Sequence, residues 1–222
     1  MKKFSYLFVA AAVVALVFGA AACKKKTEAT ATAKTAATAE TAAKTEKPEA
    51  PPVLSAAAQK LPAGTKVAVM ELEKGGVIEF ELLDKEAPKT AAHYEMLVGE
   101  KFYDGMPIHR VEDFVIQAGD DEKAEQLHPG ITLAAEADKR KTVRGAVSMA
   151  RAMAPGAKEY GPTSTTEFFI LKKDSLYLDK DFTVFGMVVS GLDVLDKIQP
   201  NDVMTRIRVV TVGAAPAPTA AK

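Results

Sequence analysis

Two short runs near the middle of the chain mix apolar and polar residues at a period close to two. They are Val67–Glu73 and Val77–Leu83, and Lys74-Gly75-Gly76 separates them. Successive side chains of a strand point to opposite faces, so this spacing is typical of a half-buried strand. Two such runs around Gly-Gly predict a β-hairpin.

After residue 83 the spacing of apolar residues no longer follows that of a strand, and strand-like segments return later in the chain. Pro88 predicts the start of a helix that continues through about Val98 and stops at Gly99, because Pro suits the first turn and Gly the residue after the last. Residues 120–140 are polar and predict a loop. The other predicted elements are strands at 143–150, 167–171, 182–189 and 203–212, a short helix at 191–198 and a loop at 151–166.

Many strands with two well-separated helices predict a mainly β domain. This pattern is typical of an antiparallel barrel or sandwich with helices over its ends. We expect the domain to span residues 61–212, a normal size for one hydrophobic core.

The first 22 residues have the parts of a secretory signal peptide. Lys2-Lys3 precedes an apolar run from Phe4 to Phe18, and small residues follow as far as Ala22. A membrane span would need about 20 apolar residues. A shorter run followed by small residues is typical of a cleaved signal, so we predict a signal peptide at 1–22.

Cys23 is the only cysteine, so no disulfide can form within the chain. Its place directly after Ala20-Ala21-Ala22 resembles the lipobox of bacterial lipoproteins, in which the cysteine is acylated and becomes the mature N-terminus. That resemblance implies a lipid membrane as a partner and a location in the bacterial cell envelope. Lys24 after the cysteine implies the outer membrane, facing the periplasm. The alternative is a secreted protein cleaved near Ala22, with a free thiol.

Composition predicts a flexible tether at residues 23–60 and a disordered tail at 213–222. No apolar side chain larger than Ala occurs between Lys24 and Val53. Such a segment buries too little surface to offset its loss of conformational entropy. A coil of about 35 residues spans roughly 30–35 Å on average, which would hold a domain away from a membrane.

Charge argues against one class of partner. The part of the chain after residue 60 carries 20 basic and 25 acidic residues. Nucleic-acid-binding proteins need a basic surface, so the sequence predicts no nucleic-acid partner. The three histidines, His93, His109 and His128, lack the close spacing of a metal site, and we predict neither a metal nor a cofactor.

The segment Ile108–Gly119 carries the most informative chemistry and predicts two short strands joined by an acidic turn. Arg110 lies at the end of the first strand, and Phe114 and Gln117 lie along the second. A rigid sheet would present this cation, ring and amide on one surface. His109 is expected to point away from Arg110, as a structural residue. A surface of this kind suits a ligand that is both apolar and amide-like.

Five segments occur in a characteristic order: Phe102–Val111, Phe114–Asp120, Arg144–Arg151, Glu167–Ile170 and Phe182–Val188. Together they resemble the bacterial cyclophilin-type peptidyl-prolyl cis–trans isomerases, over about residues 66–212. The resemblance implies a mainly β fold, a closed eight-stranded antiparallel β-barrel capped by two α-helices. It also implies isomerisation of X–Pro bonds in proline-containing polypeptides. Nothing in the sequence predicts more than a monomer.

The resemblance implies roles for eleven residues. The catalytic residues would be Arg110, which donates toward the proline nitrogen, and Gln117, which orients Arg110 or holds a substrate carbonyl. The substrate-binding residues would be Phe114, Val115, Ala150, Arg151, Glu167, Phe169, Tyr177, Leu178 and Phe182.

Two departures from the family pattern bear on activity. Glu167 stands where most members carry Gln, and we expect it to pair with Arg110, fixing and partly neutralising the guanidinium. This pairing would lower activity relative to Gln. The loop at 151–166 is longer than usual, which leaves substrate preference open.

Plainer interpretations stay open for the same residues. Arg110 is alternatively a surface partner of Glu112 or Asp113. The phenylalanines are alternatively barrel core, which is the preferred interpretation for Phe185. The alternative function is a catalytically weak proline-peptide binding module or chaperone tethered to the membrane.

Overall fold

A computed structural model describes three parts of the chain, residues 52–137, 139–152 and 158–214. The predicted signal peptide, Cys23 and the tether as far as residue 51 lie outside these residues, as does the predicted tail from residue 215 onward.

The described residues form nine strands, three α-helices and two 3₁₀ turns. The strands are β1 Lys66–Leu72, β2 Val77–Leu82, β3 Met106–Pro107, β4 Arg110–Val111, β5 Val115–Ala118, β6 Ala146–Arg151, β7 Thr163–Leu171, β8 Val184–Ser190 and β9 Val203–Thr211. The helices are α1 Pro88–Gly99, α2 Asp121–Leu127 and α3 Leu192–Leu195, and the turns are Ala58–Lys60 and Leu176–Leu178. None of the helices in this part of the chain has the length and apolarity needed to cross a membrane.

All nine strands belong to one antiparallel sheet, in the order β3-β9-β1-β2-β8-β6-β7-β5-β4. If it were flat, its two edge strands would lie almost 40 Å apart. Only Ile108 and His109 separate β3 from β4 along the chain, and such a link spans about 11 Å at most. The sheet must therefore curl until its edges approach each other.

The predicted closed barrel of eight strands and two helices is correct only in its coarse features. The fold is mainly β, antiparallel and curled, but it has nine strands and three helices in the described residues. Within the same residues, no strand pairing joins β3 to β4, so hydrogen-bonded closure of the barrel is not confirmed.

Helix α2 lies where the sequence predicted a loop. The side chain of Asp120 accepts a hydrogen bond from the Lys123 backbone N–H at 2.8 Å, and Asp121 and Glu122 occupy the first turn, where negative charge is favourable. Ala124 is the buried residue of this helix, so an apolar period could not reveal it.

Residues 54–61, here called the N-terminal strap, pack against the sheet although the sequence assigned most of them to the tether. Leu54 and Leu61 contact the cluster around Ala58, Val67 and Val69. The Ser55 backbone N–H donates to Glu79 Oε1 at 2.8 Å, and the Ser55 hydroxyl donates to Glu79 Oε2. The predicted domain boundary at residue 61 therefore falls inside a packed segment.

The central core lies within the curl of the sheet, beneath α1. Helix α1 contributes Tyr94, whose ring centroid lies 5.0–5.8 Å from those of Phe80, Tyr103, Phe168 and Phe185. Phe185 is fully buried there, which confirms its assignment to the core.

Candidate active site

A recess of about 510 Å³ lies on the opposite face of the sheet from the central core. All eleven residues that the sequence singled out line it. They are Arg110, Phe114, Val115, Gln117, Ala150, Arg151, Glu167, Phe169, Tyr177, Leu178 and Phe182. Four further residues line it: Asp121, Ala152, Tyr160 and Ser164. The structure thus brings the predicted residues together, whereas their individual roles stay predictions.

Strand alternation explains how the recess is separated from the core. On β7, Phe168 belongs to the central core and Phe169 to the recess. Gln117 of β5 is the cross-strand partner of both Phe169 and, on its other side, Arg110 of β4. Three neighbouring strands therefore present an aromatic ring, an amide and a cation side by side.

The apolar floor of the recess is built from aromatic rings in edge-to-face contact. Phe182 has its ring centroid 5.4 Å from that of Phe169 and 4.7 Å from that of Tyr160. Val115 and Leu178 belong to the same buried cluster. These side chains therefore pack together as a small core and also line the recess, and their part in holding proline stays a prediction. Tyr177 differs from the others because it is 71% exposed at the rim.

Arg110 makes two hydrogen bonds to side chains beside the recess. Its Nε donates to Glu112 Oε1 at 2.7 Å, and its Nη1 donates to Gln117 Oε1 at 3.0 Å. The guanidinium carbon lies 5.9 Å from the centroid of the Phe114 ring. The bond from Arg110 lowers the pKa of Glu112 below its ordinary value. Arg110 is therefore both a partner of Glu112 and a lining residue of the recess.

The expected direct pairing of Glu167 with Arg110 is wrong, since no such ion pair occurs between these two described residues. Gln117 lies between them, and its Nε2 donates to Glu167 Oε2 at 2.6 Å. The other carboxylate oxygen, Oε1, lies 3.9 Å from His109 Nε2. His109, expected to point away, thus lies beside the same carboxylate.

Gly119 allows the end of β5 to approach β7 closely at Glu167. Its φ of +129° suits glycine, and a Cβ at this position would lie 2.4 Å from the Glu167 Cα and 2.7 Å from the Thr166 carbonyl oxygen. The glycine after the predicted strand thus permits a close approach of the strands that carry Gln117 and Glu167.

Arg151 fastens the altered loop to the wall of the recess. Its Nε donates to the Gly161 carbonyl at 2.9 Å, its Nη1 to the Asp181 carbonyl at 2.6 Å and its Nη2 to the Tyr160 carbonyl at 3.2 Å. The guanidinium also lies 5.7 Å from the Tyr160 ring centroid. Sequence reasoning missed Tyr160 because the loop departs from the family pattern, although the one aromatic residue of the loop at 151–166 was an available signal.

Asp121 and Ser164 were missed for a different reason, because both lie in segments predicted to be loops. Asp121 Oδ1 accepts from the Ser164 hydroxyl at 2.6 Å, the Thr166 backbone N–H at 3.2 Å and the Thr166 hydroxyl at 2.9 Å. These bonds join the start of α2 to β7. An acidic run facing a Ser/Thr-rich segment was the only sequence signal for this contact.

The arrangement suits binding and charge stabilisation better than covalent chemistry. A guanidinium, which stays charged and has several N–H donors, lies at the edge of an aromatic recess. The lining hydroxyl of Ser164 is hydrogen-bonded to Asp121, and no histidine is among the described residues that line the recess. The site therefore offers a donor to a polar group next to an apolar ring.

Comparisons with known proteins agree with this geometry. Residues 67–214 match the family model described as cyclophilin type peptidyl-prolyl cis-trans isomerase/CLD. Peptidyl-prolyl cis-trans isomerase B of Bacillus subtilis is 38% identical over 147 residues, covering 65% of this chain and 98% of that protein. A peptidyl-prolyl cis-trans isomerase of Helicobacter pylori is 35% identical over 150 residues, covering 65% of this chain and 87% of that protein.

A solved structure shares the fold. A cyclophilin type peptidyl-prolyl cis-trans isomerase of Cryptosporidium parvum superposes with a TM-score of 0.55 at 21% identity, covering 66% of this chain and 98% of that one. The family match spans well over half of the sequence and includes all of the recess-lining residues. The chain therefore belongs to the cyclophilin-type peptidyl-prolyl cis–trans isomerases and is an enzyme of that activity.

Proposed function

We propose that this isomerase accelerates X–Pro isomerisation in proteins of the bacterial cell envelope, with Arg110 weakening amide resonance above the apolar recess. One observation carries the catalytic part. Two of the three guanidinium nitrogens of Arg110 bond to Glu112 and Gln117, and Nη2 has no hydrogen-bond partner among the described residues. Its hydrogens are therefore available to a substrate.

The barrier to isomerisation arises from the partial double bond of the amide and is about 18–20 kcal/mol. As the X–Pro bond twists, resonance is lost and the lone pair localises on the proline nitrogen. A donor held at that nitrogen stabilises the twisted amide more than the planar one. Only such preferential stabilisation accelerates the reaction.

In this proposal the recess holds the proline ring so that its nitrogen faces the guanidinium. The rings of Phe114, Phe169 and Phe182 supply apolar contact, and the 510 Å³ volume leaves room for flanking residues. Gln117 then acts as the residue that orients Arg110, because its carbonyl oxygen accepts from Nη1.

The cellular part of the proposal rests on the N-terminal sequence. A signal peptide at 1–22 followed by an acylated Cys23 would anchor a monomer to the outer membrane, facing the periplasm, and the segment before the strap would act as its tether. Mass spectrometry of the mature N-terminus tests this. We expect a lipid-modified Cys23, and an unmodified residue at that terminus would contradict the anchor.

Isomerase activity on a short Ala-Pro peptide, measured by NMR exchange, tests the role of Arg110. We expect Arg110→Ala to lower kcat/KM by roughly 100-fold, in line with the loss of a charge-stabilising donor. Arg140→Ala is a matched control because Arg140 pairs with Glu86 at 3.2 Å and does not line the recess. Equal activity of the Arg110→Ala variant and the wild type would refute the role.

A second candidate is a proline-peptide binding module with weak turnover. It is favoured by the anionic partner of Arg110, Glu112, and by Glu167 one residue further along the network. The same NMR experiment separates the two functions. A peptide that binds in the recess without faster exchange would support the binding module.

A further inference from the structure

We propose that Glu167 is a positioning residue, which holds Arg110 in its catalytic orientation by acting through the side-chain amide of Gln117. The inference rests on the proposed catalytic role of Arg110. It gives Glu167 a function different from substrate contact or direct neutralisation of the guanidinium.

The first step of the argument is the continuity of the hydrogen bonds. Glu167 Oε2 accepts from Gln117 Nε2 at 2.6 Å, and Gln117 Oε1 accepts from Arg110 Nη1 at 3.0 Å. The 3.0 Å bond lies within the normal range of lengths, and the 2.6 Å bond is slightly shorter than that range. Glu167 is therefore linked to the guanidinium through one intervening side chain.

The second step is the orientation of the amide. A carboxylate only accepts hydrogen bonds, and a guanidinium only donates them. Gln117 must therefore turn its NH₂ toward Glu167 and its carbonyl toward Arg110. The opposite orientation would leave both contacts repulsive, so the chemistry of the two neighbours fixes the amide.

The third step is the fixed position of the Glu167 backbone. The Glu167 backbone N–H donates to the Ser164 hydroxyl oxygen at 2.7 Å, and that hydroxyl in turn donates to Asp121 at 2.6 Å. The absence of a Cβ at Gly119 allows the end of β5 to lie close to the same residue. The backbone that carries the Glu167 side chain is therefore held in place on β7.

The last step concerns what the network does to Arg110. Glu112 accepts from Nε and Gln117 accepts from Nη1, so two acceptors define the plane of the guanidinium, and Nη2 has no hydrogen-bond partner among the described residues. Because Gln117 separates Glu167 from Arg110, the carboxylate orients the cation without pairing with it. Loss of either Glu167 or Gln117 should therefore reduce the rate of the chemical step more than peptide affinity.

Four variants test this: Glu167→Gln, Glu167→Leu, Gln117→Leu and the Gln117→Leu/Glu167→Leu double variant. NMR line-shape analysis of a labelled Ala-Pro peptide measures the on-enzyme isomerisation rate and the dissociation constant separately. We expect Glu167→Leu to lower the on-enzyme rate by roughly 3- to 10-fold, the loss of about one hydrogen bond, with little change in the dissociation constant. Glu167→Gln should match or exceed the wild-type rate, because its carbonyl still accepts from Gln117 and the negative charge is removed.

The double variant distinguishes action through Gln117 from an independent effect. In the Gln117→Leu background, Glu167→Leu should cause no further fall in rate. A further fall of the same size as in the wild type would overturn the proposal, as would a wild-type rate in Glu167→Leu. Thermal unfolding curves of all four variants identify any that lose activity by unfolding.

A second measurement does not depend on activity. The Arg110 side-chain Nε–H signal in ¹⁵N NMR spectra should shift in Glu167→Leu relative to the wild type, but not between Gln117→Leu and the double variant. If Arg110→Ala retains full activity, the proposed catalytic role of Arg110 is refuted. The NMR shift still measures whether Glu167 is coupled to Arg110, so the two failures can be told apart. If Glu167→Leu leaves the Arg110 Nε–H chemical shift unchanged both in the wild type and in Gln117→Leu, the proposed coupling itself is overturned.

Discussion

Phe168 and Phe169 are neighbours on β7, yet they belong to different parts of the molecule. Phe168 is 1% exposed in the central core, where its ring lies edge-on to Tyr94 and Tyr103 at 5.4–5.5 Å. Phe169 is 5% exposed in the wall of the recess, where its ring contacts that of Phe182 at 5.4 Å. Two phenylalanines with nearly equal burial therefore have different surroundings: one packs in the core on one face of the sheet, and the other lines the recess on the opposite face.

The apolar clusters on the two faces of the sheet differ in what surrounds them. The core cluster is enclosed by the curled sheet and by α1. The recess cluster is bordered by Arg110, Gln117 and Glu167, and its outer side is open. Aromatic content alone does not identify a site, whereas a polar network beside an open aromatic cluster does.

The largest effect is expected from Phe168→Ala. Removing a ring from an enclosed core leaves a cavity, which costs about 3–5 kcal/mol of unfolding free energy. Urea unfolding followed by circular dichroism measures this loss. Phe168→Leu, which keeps more of the side-chain volume, should lose less and serves as the folded control. A Phe168→Ala variant as stable as the wild type would contradict the assignment of this ring to the core.

Phe169→Ala is expected to be less destabilising and to impair binding. Its ring borders an open recess, so the loss is about 1.5–3 kcal/mol, without a closed cavity. Removing part of the wall that we propose binds proline should also raise the dissociation constant of an Ala-Pro peptide by roughly 10-fold, which NMR titration measures. Unchanged peptide affinity in a folded Phe169→Ala variant would show that this ring is core only.

Comparison of the two faces also explains how much of the fold the sequence predicts. Strands β1 and β2 were predicted because their apolar spacing reports burial directly, and helix α1 was predicted because Pro88 and Gly99 mark its ends. Helix α2 and the first residues of β7 were missed, since Asp121, Ser164 and Thr166 hold them by polar contacts that leave no apolar period.

The lining of the recess was predicted more completely than the fold around it, while the roles of its residues stay predictions. All eleven residues taken from the resemblance line one recess, because strand alternation and register position them. The order of side chains within the network was not predictable. Whether Glu167 reaches Arg110 directly or through Gln117 depends on how the side chains of the paired strands β5 and β7 lie in three dimensions, which the residue order does not show.

The N-terminal strap covers apolar residues on the outer face of the sheet at a place away from the recess. There the outer face is closed, whereas at the recess it is open. Val67 and Val69 of β1 lie under the strap, whereas their neighbours Ala68 and Met70 lie in the central core. Ser55→Ala removes one donor to Glu79, a carboxylate that is 3% exposed, and should cost about 1 kcal/mol. Urea unfolding measures this loss. Gln59→Ala, with a side-chain bond in the same segment, is a matched control, and an equal loss from both would argue against a specific role for Ser55.

The smallest expected effect is a loss of stability at low pH. This loss should loosen the wall of the recess before it reaches the core. Asp179 follows the turn that carries Tyr177 and Leu178, and its carboxylate accepts from Lys141 Nζ at 2.8 Å and from the backbone and side chain of Thr142 at 2.8 and 2.7 Å. These bonds, that from Lys141 first, lower the pKa of Asp179 from 3.8 to about 2. A carboxyl whose pKa is lower in the folded state stabilises the fold above its unfolded pKa, and this contribution is lost as pH falls through the folded pKa.

The window for this loss is therefore between pH 3.8 and about 2. Wild type should unfold at a higher temperature than Asp179→Asn at pH 7, and the difference should shrink across that window. The core is held by ring contacts around Tyr94, which acid leaves unchanged, so the wall that carries Leu178 should loosen first. A difference between the two proteins that stays constant from pH 7 to pH 2 would mean that the charge of Asp179 does not stabilise its contact with Lys141 and Thr142, the segment before β6.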